Sequence, residues 1–136
     1  DVKTLGTITE EAFREMKTGF RAPYLYDAAQ KLATGVISVE TLKGLNENET
    51  RDELISIKGV GEKVANCVML FSLGLREAFP VDVWIKRIME SVYFNGEDTP
   101  KDQIQLFAKE QYGEYGGYAQ QYLFCFGREN KVGAKK

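Results

Sequence analysis

"IKGVGEKVANC", residues 57–67, reads as a tight glycine turn that runs straight into an apolar helix. Gly59 and Gly61 stand two apart. Glycine takes positive φ and lets backbone approach closely. Leu54 and Ile57 before the turn, and Val64 and Ala65 after it, supply an apolar frame, so the stretch reads as helix, hairpin, helix. The N–H groups of such a turn, with those of the helix start behind it, make an outward-facing anion site. A phosphate of a nucleic-acid backbone fits there without any reading of base sequence. A plain αα-hairpin turn carries the same glycines, and one GxG alone does not separate the two.

Lys63 falls in the first turn of the second helix. Helix N-termini carry partial positive charge, so a cation there is disfavoured by about 0.3–1 kcal/mol. The usual fate of a lysine is a solvated surface. In a partly dry cleft the same position destabilises the charged form. The neutral amine that results is a nucleophile able to form Schiff bases. Local chemistry leaves both readings open.

Outward from the hairpin the chain repeats helix after helix, with short breaks. "TITEEAFREMKTG" carries Thr7 with Glu10 at capping-box spacing, and Ile8, Phe13 and Met16 as its apolar residues. Gly19 breaks the chain. "RAPYLYDAAQKLATG" has Pro23 near a helix start and Gly35 just past its end. Ser38 opens "SVETLKGL", and Asn46 or Asn48 caps "NENETRDELISI". Asp82 is the N-cap of "VWIKRIMESVYF", backed by Val83, Ile85, Ile88, Met89 and Val92. Thr99 caps the next helix, with Pro100 at its first position, and "GGYAQQYLFCFGREN" is the last. There is no period-two alternation, long repeat or low-complexity tract. The pattern predicts an all-α fold of seven or eight short helices: one helical domain over residues 1–130, then a polar, frayed tail over 131–136.

Composition sets limits. The chain has 136 residues, 43% hydrophobic and 28% charged, which fits one domain with a real core. It has no apolar run of the roughly 20 residues a membrane helix needs. Cys67 and Cys125 form neither a CxxC pair nor a metal spacing, and reduced thiols in an intracellular setting are the simplest reading. The chain contains no histidine, which excludes His-ligated metals and a Ser-His-Asp triad within it. The net charge of -2 and pI of about 5.3 argue against nucleic acid, whose binders usually carry a basic face.

Two further places carry chemistry. Asp82 is an N-cap by position, and a capping carboxylate has a fixed orientation that also suits stabilising a cationic, sugar-like transition state. In "GYAQQYLFCF", Tyr118, Tyr122, Phe124 and Phe126 surround Gln120. Most of this is core material. Yet Gln can bond a base edge and Phe can stack on a base, and a step of four puts Gln120 and Phe124 on one helix face.

As a set, these residues resemble the helix-hairpin-helix DNA glycosylase superfamily, and within it the 8-oxoguanine DNA glycosylases. "GVGEKVANC" followed by "FPVDVW" has the family's order, "GFRAPY" is similar to its "GYRARY" type segment, and "YGGYAQQYLF" is similar to its late helix. The resemblance runs from about Phe13 to Arg128. It implies a base-excision-repair enzyme, both glycosylase and lyase, acting on duplex DNA that contains oxidised guanine. Lys63 is then the nucleophile and Asp82 the stabilising carboxylate. Cys67 and Phe124 enclose the purine, and Gln120 meets its Watson–Crick edge. Gly59, Val60 and Gly61 hold a backbone phosphate, with a hairpin-bound monovalent or divalent cation as an option and no cofactor required. Phe20 and Arg21 lie near the opposite base. Trp84 stands where animal members often carry a histidine, which leaves it phosphate contact or packing.

The resemblance also implies a partial domain, without the family's N-terminal β domain and first helices, so that the missing part of the same protein is a partner and activity of this chain alone is in doubt. It implies a monomer without a membrane, in the cytoplasm or nucleoid of a bacterium or the nucleus of a eukaryote. The alternative is a helix-hairpin-helix DNA-binding module without chemistry, and the acidic pI also suits a helical interaction domain.

Overall fold

The computed structural model describes residues 1–133; the last three tail residues, 134–136, lie outside the described residues. The chain divides into two compact units, Asp1–Ala65 and Asn66–Lys136. All regular elements among the described residues are helical, with nine α-helices against the seven or eight expected.

In the first unit, α1 (Val2–Leu5) is capped by Asp1 and α2 (Glu10–Phe13) by Thr9, whose hydroxyl accepts from the Ala12 N–H at 3.1 Å. The expected Thr7 cap does not form. Thr7 belongs to the turn that closes α1, and its hydroxyl donates to the Thr4 carbonyl at 2.8 Å. A π-helical turn (Arg14–Thr18) and a 3-10 turn (Gly19–Arg21) follow. Positive φ at Lys17 (61°) and Gly19 (60°) ends the α-helical path here, and Met16 faces solvent rather than the core. α3 (Ala22–Ala33) begins with Pro23 in its first turn and stops before Gly35, as expected. It packs on α1 and α2 around Phe13, Ala22 and Ala29. Ser38 caps α4 (Val39–Gly44), and Asn46 and Glu49 form a reciprocal capping box on α5 (Glu47–Ile55). The glycine turn then leads into α6 (Glu62–Phe71).

In the second unit, α7 (Val83–Tyr93), α8 (Lys101–Tyr112) and α9 (Gly116–Glu129) surround Phe79, Val81, Ile85, Ile88, Met89, Ile104 and Ala108. On α7, Ile85, Ile88 and Met89 form the buried stripe. Val83 and Val92 are exposed: a 3.6-residue period puts Val83 on the face of α7 opposite that stripe, and Val92 in line with it but in the last turn of the helix. Pro100, rather than Thr99, is the N-cap of α8. Thr99 is buried and turned the other way: its N–H donates to the Glu90 carboxylate at 2.9 Å and its hydroxyl to the Glu97 carbonyl at 3.0 Å. Lys131 to Gly133, expected to fray, fold back in a turn. The Val132 N–H there donates to the Gly127 carbonyl at 3.0 Å.

Candidate nucleic-acid interface

The glycine turn is held from beneath by α3. Gly59 adopts φ of +80°, and a Cβ there would fall 2.4 Å from ring carbons of Tyr24. Only glycine meets both demands. Asp27 of α3 accepts the Lys58 N–H at 2.8 Å and the Lys31 ammonium at 2.9 Å. Lys31 also donates to the Ser56 carbonyl at 2.5 Å. The Lys58 N–H, and then the Lys31 side chain, hold the Asp27 carboxyl below the usual carboxylate range. One acid thus clasps the turn on its near side. Gly61 differs from Gly59: it lacks positive φ, and a Cβ there would meet open space. Its carbonyl accepts the Ala65 N–H at 2.9 Å and so starts α6.

Lys63 is the second residue of α6, and it is exposed. Within its unit, among the described residues, no carboxylate pairs with its amine. Cys67, four positions along the same helix, is half-buried.

Phe20 and Arg21 are joined to the hairpin through Tyr24. Phe20 is 68% exposed, so a large ring is held in water with little packing. The Arg21 guanidinium lies 4.5 Å from its centroid. The Phe20 and Tyr24 rings meet edge-on at 6.4 Å, and the same Tyr24 packs on Gly59. The Gly59 turn and the Phe20–Arg21 pair therefore form one patch.

In the second unit, Asp82 caps α7, its carboxylate accepting the Ile85 N–H at 2.8 Å. Gln120 is 6% exposed. Its Nε2 donates to the Pro80 carbonyl at 3.1 Å, and its Oε1 accepts from Gln121 Nε2 at 2.6 Å. A glutamine amide has two N–H donors and two acceptor lone pairs, so half its capacity is left for a ligand. Its bond to Pro80 ties α9 to the segment that leads into Asp82. Phe124, one turn further along α9, packs on the core with one side. It also lines a cavity of about 340 Å³ together with Trp84, Ile88, Gly127, Arg128 and Lys131. Trp84 is half exposed, with the Arg87 guanidinium 5.6 Å from its ring. The structure thus brings Phe124 and Trp84 together. Tyr118, Tyr122 and Phe126 are exposed on α9 rather than core.

Three residues that set this geometry are not visible in the sequence motifs. Tyr24 and Asp27 hold the hairpin, and the only sequence signal for Asp27 is its spacing of four to Lys31 on a helix. Gly117 sets the position of α9. Its N–H donates to the Arg76 carbonyl at 2.7 Å. A Cβ on it would meet the Arg76 and Ala78 carbonyls at 2.8 and 2.9 Å. Among the described residues no cluster of three or more His, Cys, Asp or Glu side chains could hold a metal, and no helix is long and apolar enough to cross a membrane.

This geometry has known counterparts. The helix-hairpin-helix motif matches residues 41–71. A probable N-glycosylase/DNA lyase of Methanothermobacter thermautotrophicus is 36% identical over 117 residues, which cover 86% of this chain and 37% of that protein. An N-glycosylase/DNA lyase of Saccharomyces cerevisiae is 31% identical, over 85% of this chain and 39% of its own. The crystal structure of Clostridium acetobutylicum 8-oxoguanine glycosylase/lyase, in complex with double-stranded DNA containing cytosine opposite 8-oxoguanine, superimposes with a TM-score of 0.89 at 43% identity. That match covers 97% of this chain and 45% of the other, so the chain spans less than half the length of each of these relatives. The chain is thus similar to proteins of the helix-hairpin-helix DNA glycosylase superfamily and, within it, to the 8-oxoguanine glycosylase/lyases.

Proposed function

We propose that the protein carrying this chain excises 8-oxoguanine from duplex DNA and then cleaves the strand at the abasic site. The observation that carries this reading is Lys63. Its exposed amine, without an ion-pair partner in its unit among the described residues, stands at the head of the helix that the glycine turn starts, and Cys67 follows on the same helix. In this reading the Gly59–Gly61 turn takes a strand phosphate on its N–H groups, and Lys63 attacks C1′ of the flipped nucleotide. The C1′–N9 bond breaks, and the purine leaves with the bonding electrons and takes up a proton. Asp82 offsets the positive charge that develops on the sugar. The amine loses its protons and the sugar ring opens to a Schiff base, from which β-elimination breaks the C3′–O3′ bond. Cys67 and Phe124 enclose the base, and the spare N–H and lone pair of Gln120 meet its Watson–Crick edge. Phe20 and Arg21 occupy the gap beside the opposite base, with Trp84 at the lesion strand's backbone.

Gly59 and Gly61 are both exposed residues, and the Gly61 carbonyl that accepts the Ala65 N–H keeps a second lone pair. As hard oxygen donors their carbonyls suit a monovalent or divalent main-group cation rather than a transition metal. The Gly59 and Gly61 carbonyls would hold such a cation, which would supply positive charge to a strand phosphate, and no other cofactor is required. The protein would act as a monomer wherever the genome is kept.

The test uses the complete protein and duplex DNA containing 8-oxoguanine, with borohydride to reduce any Schiff base. A covalent protein–DNA band is expected, and it should vanish in Lys63→Gln. Saturated binding with no band would leave a DNA-binding module without chemistry.

A further inference from the structure

The 340 Å³ cavity of the second unit has a wall that the proposed chemistry does not use. Trp84, Ile88 and Phe124 supply its apolar side, and Arg128 and Lys131 are its polar residues. No carboxylate lines it. Among the described residues neither cation has an ion-pair partner, whereas Lys86 nearby on α7 is paired with both Glu90 and Asp98. A third cation, Arg87, stacks over the Trp84 ring.

The backbone adds a second sign. α9 ends in a Schellman-type turn, closed by the Val132 N–H on the Gly127 carbonyl at 3.0 Å. The left-handed position of such a turn is normally glycine. Here it is Lys131, with φ of 55°. A residue with a side chain holds that conformation at a cost glycine does not incur, and such outliers concentrate where a side chain serves a ligand.

We propose that Arg128 and Lys131 bind a backbone phosphate of the lesion-bearing DNA strand, with the attached sugar lying against Trp84 and Ile88. This rests on the reading of duplex DNA as substrate. Because Phe124 lines both this cavity and the proposed base pocket, the phosphate belongs to the flipped nucleotide or its immediate neighbour. The cavity lies near the lower end of the range of roughly 300–1,000 Å³ usual for ligand sites, which suits one sugar-phosphate unit. Two cations gathered here also give an overall acidic chain a local positive face.

The test is binding of the complete protein, in a Lys63→Gln background that cannot react, to duplex DNA holding 8-oxoguanine, across a salt series. Removing one phosphate contact should lower the slope of log K against log salt by about 0.9. Arg128→Gln and Lys131→Gly should each show that drop, with affinity about three- to tenfold weaker near 0.1 M salt, and the double variant should show about twice the drop. Lys131→Gly is the discriminating variant. It places glycine where the turn prefers it, so its Tm should equal or exceed the parent's while binding falls. If both cations only cap the helix, Tm falls and the salt slope stays, and the proposal is overturned. It is also overturned if deoxyguanosine monophosphate alone saturates the cavity in a Lys131-dependent way while the DNA slope is unchanged. Failure of the glycosylase reading looks different: no borohydride adduct with Lys63 intact, whatever the salt slopes show.

Discussion

The glycine hairpin and α9 are built on opposite plans. The hairpin is a backbone device. Its shape follows from Gly59 and a helix start within a few residues, and α3 holds it through Tyr24 and Asp27. α9 is a side-chain device. Gln120 and Phe124 matter through what they touch, and their places depend on a loop some forty positions earlier in the chain, at Arg76 to Pro80. The first plan leaves few side chains to vary and suits a ligand that is the same at every step, such as a phosphate. The second can be tuned residue by residue and suits a ligand that must be told from its relatives, such as a base.

The sharpest way to break this contrast is at one packed glycine of each, Gly117 of α9 and Gly59 of the hairpin. Gly117→Ala should be the most damaging change, by about 3 kcal/mol, because two of the atoms it meets are backbone carbonyls that cannot swing aside. Urea denaturation measures it, and a loss below 1 kcal/mol would show that α9 can slide. Gly59→Ala should cost about 2 kcal/mol: strain at positive φ accounts for roughly 1–2 of this, and the Tyr24 ring can turn away to relieve the rest. Adding Tyr24→Ala should recover only the steric part. Gly61→Ala is the control. With open space and no positive φ, it should change stability by less than about 0.5 kcal/mol. Any loss of DNA binding in that variant then reports on the phosphate site itself.

Gln120→Ala probes the other plan. It removes the bond to Pro80 and leaves a buried carbonyl short of a donor. The proposed base edge loses its partner at the same time. Excision of 8-oxoguanine relative to unmodified guanine should fall about tenfold, or roughly 1.4 kcal/mol, within the usual cost of orphaning a buried polar group. Unchanged discrimination together with lower stability would make Gln120 a strut between α9 and the Pro80 loop and nothing more.

The same contrast explains what the sequence made legible. Caps and glycine turns are local, so Asn46, Ser38, Asp82, Pro23 and Gly35 all take the places expected of them. Errors arise where a neighbour outside the local window competes. Thr99 does not cap because its hydroxyl turns back to the Glu97 carbonyl while the Glu90 carboxylate of α7 holds its N–H. Met16 leaves the core side because the π-helical turn shifts the phase that a 3.6-residue period assumes. Tyr118, Tyr122 and Phe126 are aromatic, yet hydrophobicity alone does not show which face of α9 is covered. Of the candidate site, the glycine turn and Lys63 can be read locally, and the tie between Gln120 and Pro80 cannot.

Apart from the Gly61→Ala control, the smallest expected effect lies in the clasp under the hairpin. Asp27 carries a depressed carboxyl because the Lys58 N–H and the Lys31 ammonium both favour its charged form. A depressed value in the folded state means the stabilisation is fully present above the ordinary carboxyl range, near pH 4. It is lost as pH falls through the folded-state value. Asp27→Asn keeps an acceptor for the Lys58 N–H but loses the ion pair. It should therefore cost about 1 kcal/mol at pH 7 and remove part of the acid sensitivity. Hydrogen exchange at the Lys58 amide is the direct readout. In the parent, protection should drop as pH falls below the ordinary carboxyl range, beyond what global unfolding explains, and in Asp27→Asn it should start lower and change less. If the parent's Lys58 amide is no better protected than an open loop, the turn holds its shape through Gly59 and Tyr24 alone. The hairpin would then be a backbone device in the strictest sense, without help from charge.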